Sequence, residues 1–156
     1  MSSYYGASIC ENGHVVSKYD ANKQKFCTQC GAKVISNCPT CNHSIQGLVV
    51  LNYAYIGKRT YTRPDYCPDC GAPYPWTVSA IENIKLLIQE EEELSEQLKS
   101  SIVESLPDII TETPKTNLAN VRLKKGLASA GKFTAEALRQ FVIDFGCELS
   151  KKFLGF

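Results

Sequence analysis

The chain has 156 residues, enough for one domain or two small ones, and its 44% hydrophobic content is ordinary for a folded protein. Its unbroken apolar runs are only a few residues long, Leu48 to Leu51 being typical, which excludes a membrane-spanning helix. A formal net charge of +1 excludes any global electrostatic argument for nucleic acid.

Residues 1–76 are dominated by cysteine. Seven of the eight cysteines lie there: Cys10, Cys27, Cys30, Cys38, Cys41, Cys67 and Cys70. Three pairs have the form C-x-x-C, and the fourth pair is Cys10-x-x-x-His14. Two intervening residues let a tight turn set both sulfurs on one edge of a tetrahedron. Glycine after the second cysteine tolerates the positive φ with which the chain turns away. That pattern occurs at Cys27–Gly31 and again at Cys67–Gly71. Seven thiolates and one imidazole make eight ligands, which is two tetrahedral zinc sites with none left over.

We assign Cys10, His14, Cys27 and Cys30 to the first zinc and Cys38, Cys41, Cys67 and Cys70 to the second. A rival grouping pairs the two middle knuckles with each other and the outer two with each other. Seven residues separate Cys30 from Cys38, which leaves that grouping open. Disulfides would need an oxidising compartment. The opening MSSYYGASIC has no basic segment leading into an apolar one, so a cytoplasmic protein with reduced thiols is expected. Iron suits an all-thiolate site, but the imidazole of His14 favours zinc. His43 reads as a polar loop residue, and Cys147 as a small apolar residue that needs no metal.

Short segments around Val15-Val16 and Lys33-Val34-Ile35 flank the knuckles. Leu48 to Ile56 is rich in β-branched and aromatic residues and predicts a strand. A turn at Gly57-Lys58 would return it along Arg59 to Arg63, with Pro64 as the stop. This hairpin interleaves Tyr53, Tyr55 and Tyr61 with Lys58, Arg59 and Arg63, as base stacking and phosphate contact require. Lys58, Arg59, Tyr61 and Arg63 are therefore candidate nucleic-acid contacts. Tyrosines that cover their own strands are the plainer reading. Residues 1–76 carry seven Lys/Arg and four Asp/Glu. A three-thiolate zinc adds −1 and a four-thiolate zinc −2, so the loaded region is close to neutral. So few apolar residues cannot bury a large core, and a structural zinc contributes on the order of 10–16 kcal/mol. Residues 1–76 therefore read as a double zinc-ribbon domain.

Residues 77–156 read as helical. Pro73-Tyr74-Pro75-Trp76 disfavours regular structure, and Ser79-x-x-Glu82 is a capping box. Ile81, Ile84, Leu87, Ile88, Leu94, Leu98, Ile102 and Leu106 predict a helix over about 80–106, interrupted by Glu90 to Glu93, which reads as a solvated face. Pro107 to Pro114 reads as a linker. A second helix is expected over about 117–130 with Gly131 as its stop, and a third over about 134–153. Leu138, Phe141, Phe145, Leu149 and Phe153 lie along the third stripe and are candidate partner-binding residues. Residues 82–112 hold nine acids against two bases, and residues 115–156 hold eight bases against three acids. Acidic and basic helices packing together is the simplest consequence. A tail for a partner or a membrane surface is the sharper one.

The stretches Ala7 to Val15 and Thr62 to Thr77, with Thr113 to Lys125, resemble a bacterial zinc-ribbon family catalogued as a domain of unknown function. The resemblance covers most of the chain. It implies bacterial origin and the zinc ligands, and it implies no activity.

The overall expectation is a small α+β fold, two zinc ribbons followed by a helical region. Both metal sets are closed by four strong ligands, and no H-E-x-x-H, P-loop, Gly-x-Ser-x-Gly or zinc-deaminase pattern is present. No catalytic residue is assigned. The expected function is a zinc-binding structural adaptor that meets a protein partner, or itself, through the helical half. The alternatives are nucleic-acid binding by the hairpin and membrane-surface association by the last helix.

Overall fold

The computed structural model describes residues 3–156. It is a small α+β protein in which short antiparallel strands precede five helices. The chain divides into two compact units, one ending at Ser79 and the other beginning at Ala80.

In the first unit, β1 (Tyr4–Gly6) pairs antiparallel with β5 (Gln46–Val49), Tyr4 opposite Val49. The strands β2 (Ser8–Cys10), β3 (Val15–Ser17) and β4 (Val34–Ile35) form a second antiparallel sheet in the order β3–β2–β4. The central strand β2 is buried along its whole length. Ile9 faces Val15 on one side and Ile35 on the other, so the central strand, paired on both edges, carries the apolar residue. With Ala7, Ile45, Leu48, Tyr74 and Trp76, Ile9 makes up most of the buried apolar content besides cysteine.

The hairpin expected at 48–63 is absent. The strand is shorter and earlier, and its partner is β1 rather than Arg59 to Arg63. Residues 50–65 carry no strand. They are tied to the unit by side chains. Arg59 donates to the Val49 carbonyl, Tyr61 donates to the Gln46 carbonyl, and Lys18 Nζ donates to the Arg59 carbonyl at 3.0 Å.

The helices are α1 (Pro75–Glu90), α2 (Glu96–Ile110), α3 (Thr116–Ser129), α4 (Lys132–Phe145) and α5 (Glu148–Leu154). The first begins five residues before the expected start. Pro75 sits at its first position, where a missing N–H costs nothing and the fixed φ is already helical. Ser79 is therefore inside the helix and caps nothing. The helix expected over 80–106 is two helices. Ser95 caps the second, its hydroxyl accepting from the Leu98 N–H at 3.2 Å. Pro107 does not end α2, which continues to Ile110 and loses only the bond proline cannot donate.

The helix expected over 134–153 is also two. Gly146 adopts an extended conformation (φ −65°, ψ 147°) between α4 and α5. A Cβ there would lie 2.5 Å from the Val142 carbonyl oxygen, so only glycine fits. The Cys147 N–H then donates to the Ile109 carbonyl at 2.8 Å, pinning the break to the end of α2. Within this unit α2 packs on α3, and α3 packs on α4 and α5. Ile88, Ile102, Leu106, Ile109, Leu123, Leu138 and Val142 are fully or almost fully buried, a core the first unit has no equivalent of.

Candidate metal centres

Three knuckles in the first unit share one backbone plan. The N–H of the first cysteine donates to the carbonyl five residues on: Cys27 to Ala32, Cys38 to His43 and Cys67 to Ala72. The N–H four residues on donates back to the same cysteine's carbonyl, from Gly31, Asn42 and Gly71. Each knuckle is closed by one bridge, Phe26 with Lys33, Asn37 with Ser44 and Tyr66 with Pro73. The residue after the second cysteine has positive φ in all three, +73° at Gly31, +65° at Asn42 and +75° at Gly71. Glycine marks two of these in the sequence. Asparagine, which tolerates the left-handed region, marks the third. The Cys10 turn is one residue tighter: the Gly13 N–H donates to the Cys10 carbonyl, and the Cys10 N–H to the His14 carbonyl.

These turns bring the eight ligands together in two groups. Cys10, His14, Cys27 and Cys30 form one, and Cys38, Cys41, Cys67 and Cys70 the other. Within each group the ligand atoms all lie within 4.8 Å of one another. The grouping is therefore sequential, and the rival grouping does not occur.

Distances test the fit to zinc. A Zn–S bond of about 2.3 Å in a tetrahedron implies sulfur–sulfur edges of about 3.8 Å and sulfur–nitrogen edges of about 3.6 Å. Cys10 and Cys30 sulfurs are 3.7 Å apart, Cys38 and Cys70 3.7 Å, and Cys41 and Cys67 3.6 Å. His14 presents Nδ1, 3.4 Å from Cys10 Sγ and 3.7 Å from Cys27 Sγ. Such sulfurs are too far apart for disulfides, and all eight cysteines are free thiols. The chain thus holds two four-ligand metal sites whose donors and spacing fit two zinc ions.

The surroundings divide the ligands: they favour thiolate, the form that binds metal, at Cys30 and Cys67 and oppose it at Cys10, Cys41 and Cys70. The backbone near Ala32 and the Asn12 amide, which donates to Cys30 Sγ at 3.4 Å, hold the Cys30 thiol down at about 6. A backbone hydrogen bond from Cys70 holds Cys67 at about 6. Burial pushes Cys10 the other way, although the His14 N–H donates to its sulfur at 3.2 Å.

A clasp around the first site was not expected from the ligand pattern. Arg63 donates from Nη1 to the Gly13 carbonyl at 2.8 Å and lies over the Trp76 ring, 5.7 Å from its centroid. Trp76 Nε1 donates to the Pro64 carbonyl at 3.1 Å, and the Thr77 hydroxyl to the Asp65 carbonyl at 2.8 Å. Trp76 also stacks on buried Tyr74, with centroids 4.8 Å apart. The signal was in the sequence, in Arg63-Pro64 and Pro75-Trp76-Thr77, where it read as a family signature without a role.

The remaining candidates fall as follows. Of the four basic and aromatic residues offered for nucleic acid, Arg59, Tyr61 and Arg63 are engaged inside the unit, and Lys58 is exposed. Burial pushes the Tyr61 phenol up to about 12. Of the five offered for a partner, Leu138 and Phe141 are buried in the helical unit's own core, because α4 packs against α2 and α3 there. Phe145 and Leu149 are half-buried, and Phe153 is exposed. His43 is an exposed loop residue outside both ligand groups. The Cys147 thiol donates to the Ser150 hydroxyl at 3.4 Å.

These features define a paired zinc-ribbon unit joined to a helical unit. Residues 3–154 match the family described as an uncharacterized protein conserved in bacteria, DUF2321, and the chain belongs to it. No curated protein and no solved structure matches the chain.

Proposed function

We propose that the protein is a zinc-held structural adaptor that works by binding protein through its helical unit, without catalysis. The observation that carries this reading is that the helical unit leaves aromatics exposed although it closes an apolar core of its own, whereas the ribbon unit, which also exposes Phe26, Tyr53 and Ile56, has no such core. In the helical unit Phe133 is 75% exposed, Phe153 41% and Phe156 45%, beside a core that is otherwise well buried. Burying each aromatic is worth roughly 1.5–3 kcal/mol, which a partner surface would recover. The metal sites favour the same reading. Each set has four protein ligands, the closed arrangement of a structural zinc, with no position for a substrate. Free thiols suit a reducing compartment such as the cytoplasm. Among the described residues no helix is long and apolar enough to cross a membrane.

The test is photo-crosslinking in the bacterial host from position 153 and, for comparison, from position 58. Specific protein adducts from 153 that disappear with Phe156→Ser support the reading. Adducts from 58 alone, or nucleic acid recovered there, would move the function to the ribbon unit.

A further inference from the structure

The helical unit carries two exposed patches of opposite charge, each with an aromatic side chain at its centre. The first is a cavity of about 430 Å³ where α3, α4 and α5 meet. Lys124, Arg139 and Lys152 surround Leu127, Phe153 and Phe156, and no acid lines it. None of those three bases has an ion pair among the described residues, although Lys124 lies 5.7 Å from the Phe153 ring centroid. The second is a cavity of about 340 Å³ at the α1–α2 turn, lined by Glu90 to Glu93 and by Phe133.

The four glutamates are not equivalent. Glu91 is used locally, its carboxylate accepting from the Gly131 N–H at 3.2 Å and from the Glu93 N–H at 3.0 Å. It thereby caps α4, whose own N-cap, Gly131, has no side chain to do so. Glu90, Glu92 and Glu93 are exposed and have no ion pair among the described residues. Beside them stands Phe133, the most exposed aromatic of the helical unit.

The two patches cannot satisfy each other within one chain. Phe133 and Arg139 both lie on α4, six residues apart. That places them about 9 Å apart along the axis and about 120° apart around it. They face different directions, and neither surface has an internal partner of opposite sign.

We infer that the occupant of the basic cavity is a second copy of this chain. It inserts Phe133 between Phe153 and Phe156 and sets Glu90, Glu92 and Glu93 against Lys124, Arg139 and Lys152. Charge complementarity, three against three around an aromatic anchor, selects this occupant over a generic apolar surface. The contact joins two different patches, so it closes as a two-fold pair in which both contacts form, or as a ring. This inference rests on the helical unit being the binding unit, and adds which partner it binds.

The experiment is sedimentation velocity on the full-length zinc-loaded protein over a range of micromolar concentrations. It is run at about 0.1 M and about 1 M salt, where the screening length falls from about 10 Å to about 3 Å. Association that grows with concentration and weakens at least tenfold at high salt is expected. Lys124→Glu/Arg139→Glu/Lys152→Glu is expected to be monomeric, as is Glu90→Lys/Glu92→Lys/Glu93→Lys, while an equimolar mixture associates again. The recovery in the mixture also shows that both variants fold. A wild-type protein that stays monomeric, association insensitive to salt, or a mixture that stays monomeric would each overturn the inference. Crosslinks from position 153 to other proteins, with a monomeric wild type, would remove the second copy and leave the adaptor reading standing.

Discussion

The two units are held together by different physics. The ribbon unit repeats one short backbone turn three times and lines the turns with sulfur, and apart from cysteine it buries only about half a dozen large apolar side chains. The helical unit has no metal ligands, and its core runs from Ile84 to Val142 with almost no exposure. The lesson is that one chain closes small structures in two ways. Where strands are two to four residues long, ligand bonds replace the apolar area they cannot bury. Where four of the five helices run to fourteen residues or more, side-chain packing suffices.

The sharpest way to break the comparison is to remove the metal. A strong chelator, or Cys38→Ser, is expected to unfold the ribbon unit at the second site, because a structural zinc contributes on the order of 10–16 kcal/mol. Far-ultraviolet circular dichroism should then keep most of its helical signal. Loss of that signal together with the metal would mean that the helical unit depends on the ribbons.

The complementary change is Leu138→Ala, which opens a cavity at a fully buried position. It is expected to cost the helical unit about 2–5 kcal/mol. Zinc content, read by elemental analysis on the same preparation, should stay that of the wild type.

A smaller effect is expected from Arg63→Ala, which frees the Gly13 carbonyl between two ligands of the first site. Supporting residues of this kind change metal affinity by about 10–100-fold. Competition with a chromophoric chelator should show the weakening at one site of the two. Equal weakening at both sites, or at neither, would count against the clasp.

The smallest effect concerns Glu91. The Thr134 hydroxyl, then the Glu93 and Gly131 N–H groups, hold its carboxyl below its ordinary value of 4.5. A carboxyl whose pKa is lowered by folding stabilises the fold above that ordinary value and loses the contribution as pH falls through the lowered one. The melting temperature of wild type should therefore exceed that of Glu91→Gln at neutral pH. The difference should vanish in strong acid. A difference constant across that range would show that the carboxylate is not the cap.

How far the sequence revealed these structures follows the same division. The eight ligands were legible because C-x-x-C spacing is a local constraint that leaves few geometries, but their grouping was not fixed, since the seven residues between Cys30 and Cys38 also allow the rival pairing. The third knuckle was only half legible, since Asn42 takes a φ that glycine usually announces. The ribbon strands were misread at 48–63 because β1, only three residues long, gives no periodic signal and comes from the far end of the unit. The apolar stripe from Leu138 to Phe153 marked a helix but not its break. The Gly146 kink lies inside the stripe, and what pins it is the bond from the Cys147 N–H to the Ile109 carbonyl on α2. The cap of α4 was invisible because it comes from Glu91, forty residues away. That Leu138 and Phe141 face their own core rather than a partner follows from helix packing, which no single stripe encodes.

The central claim is that two closed metal sites, one with three sulfurs and a nitrogen and one with four sulfurs, hold the ribbon unit. X-ray absorption at the zinc edge, with elemental analysis of protein purified without chelator, tests it most directly. The expected result is two zinc ions per chain, with seven sulfur and one nitrogen neighbours shared between them and no oxygen. One zinc per chain, or an oxygen neighbour that marks an open coordination position, would contradict it.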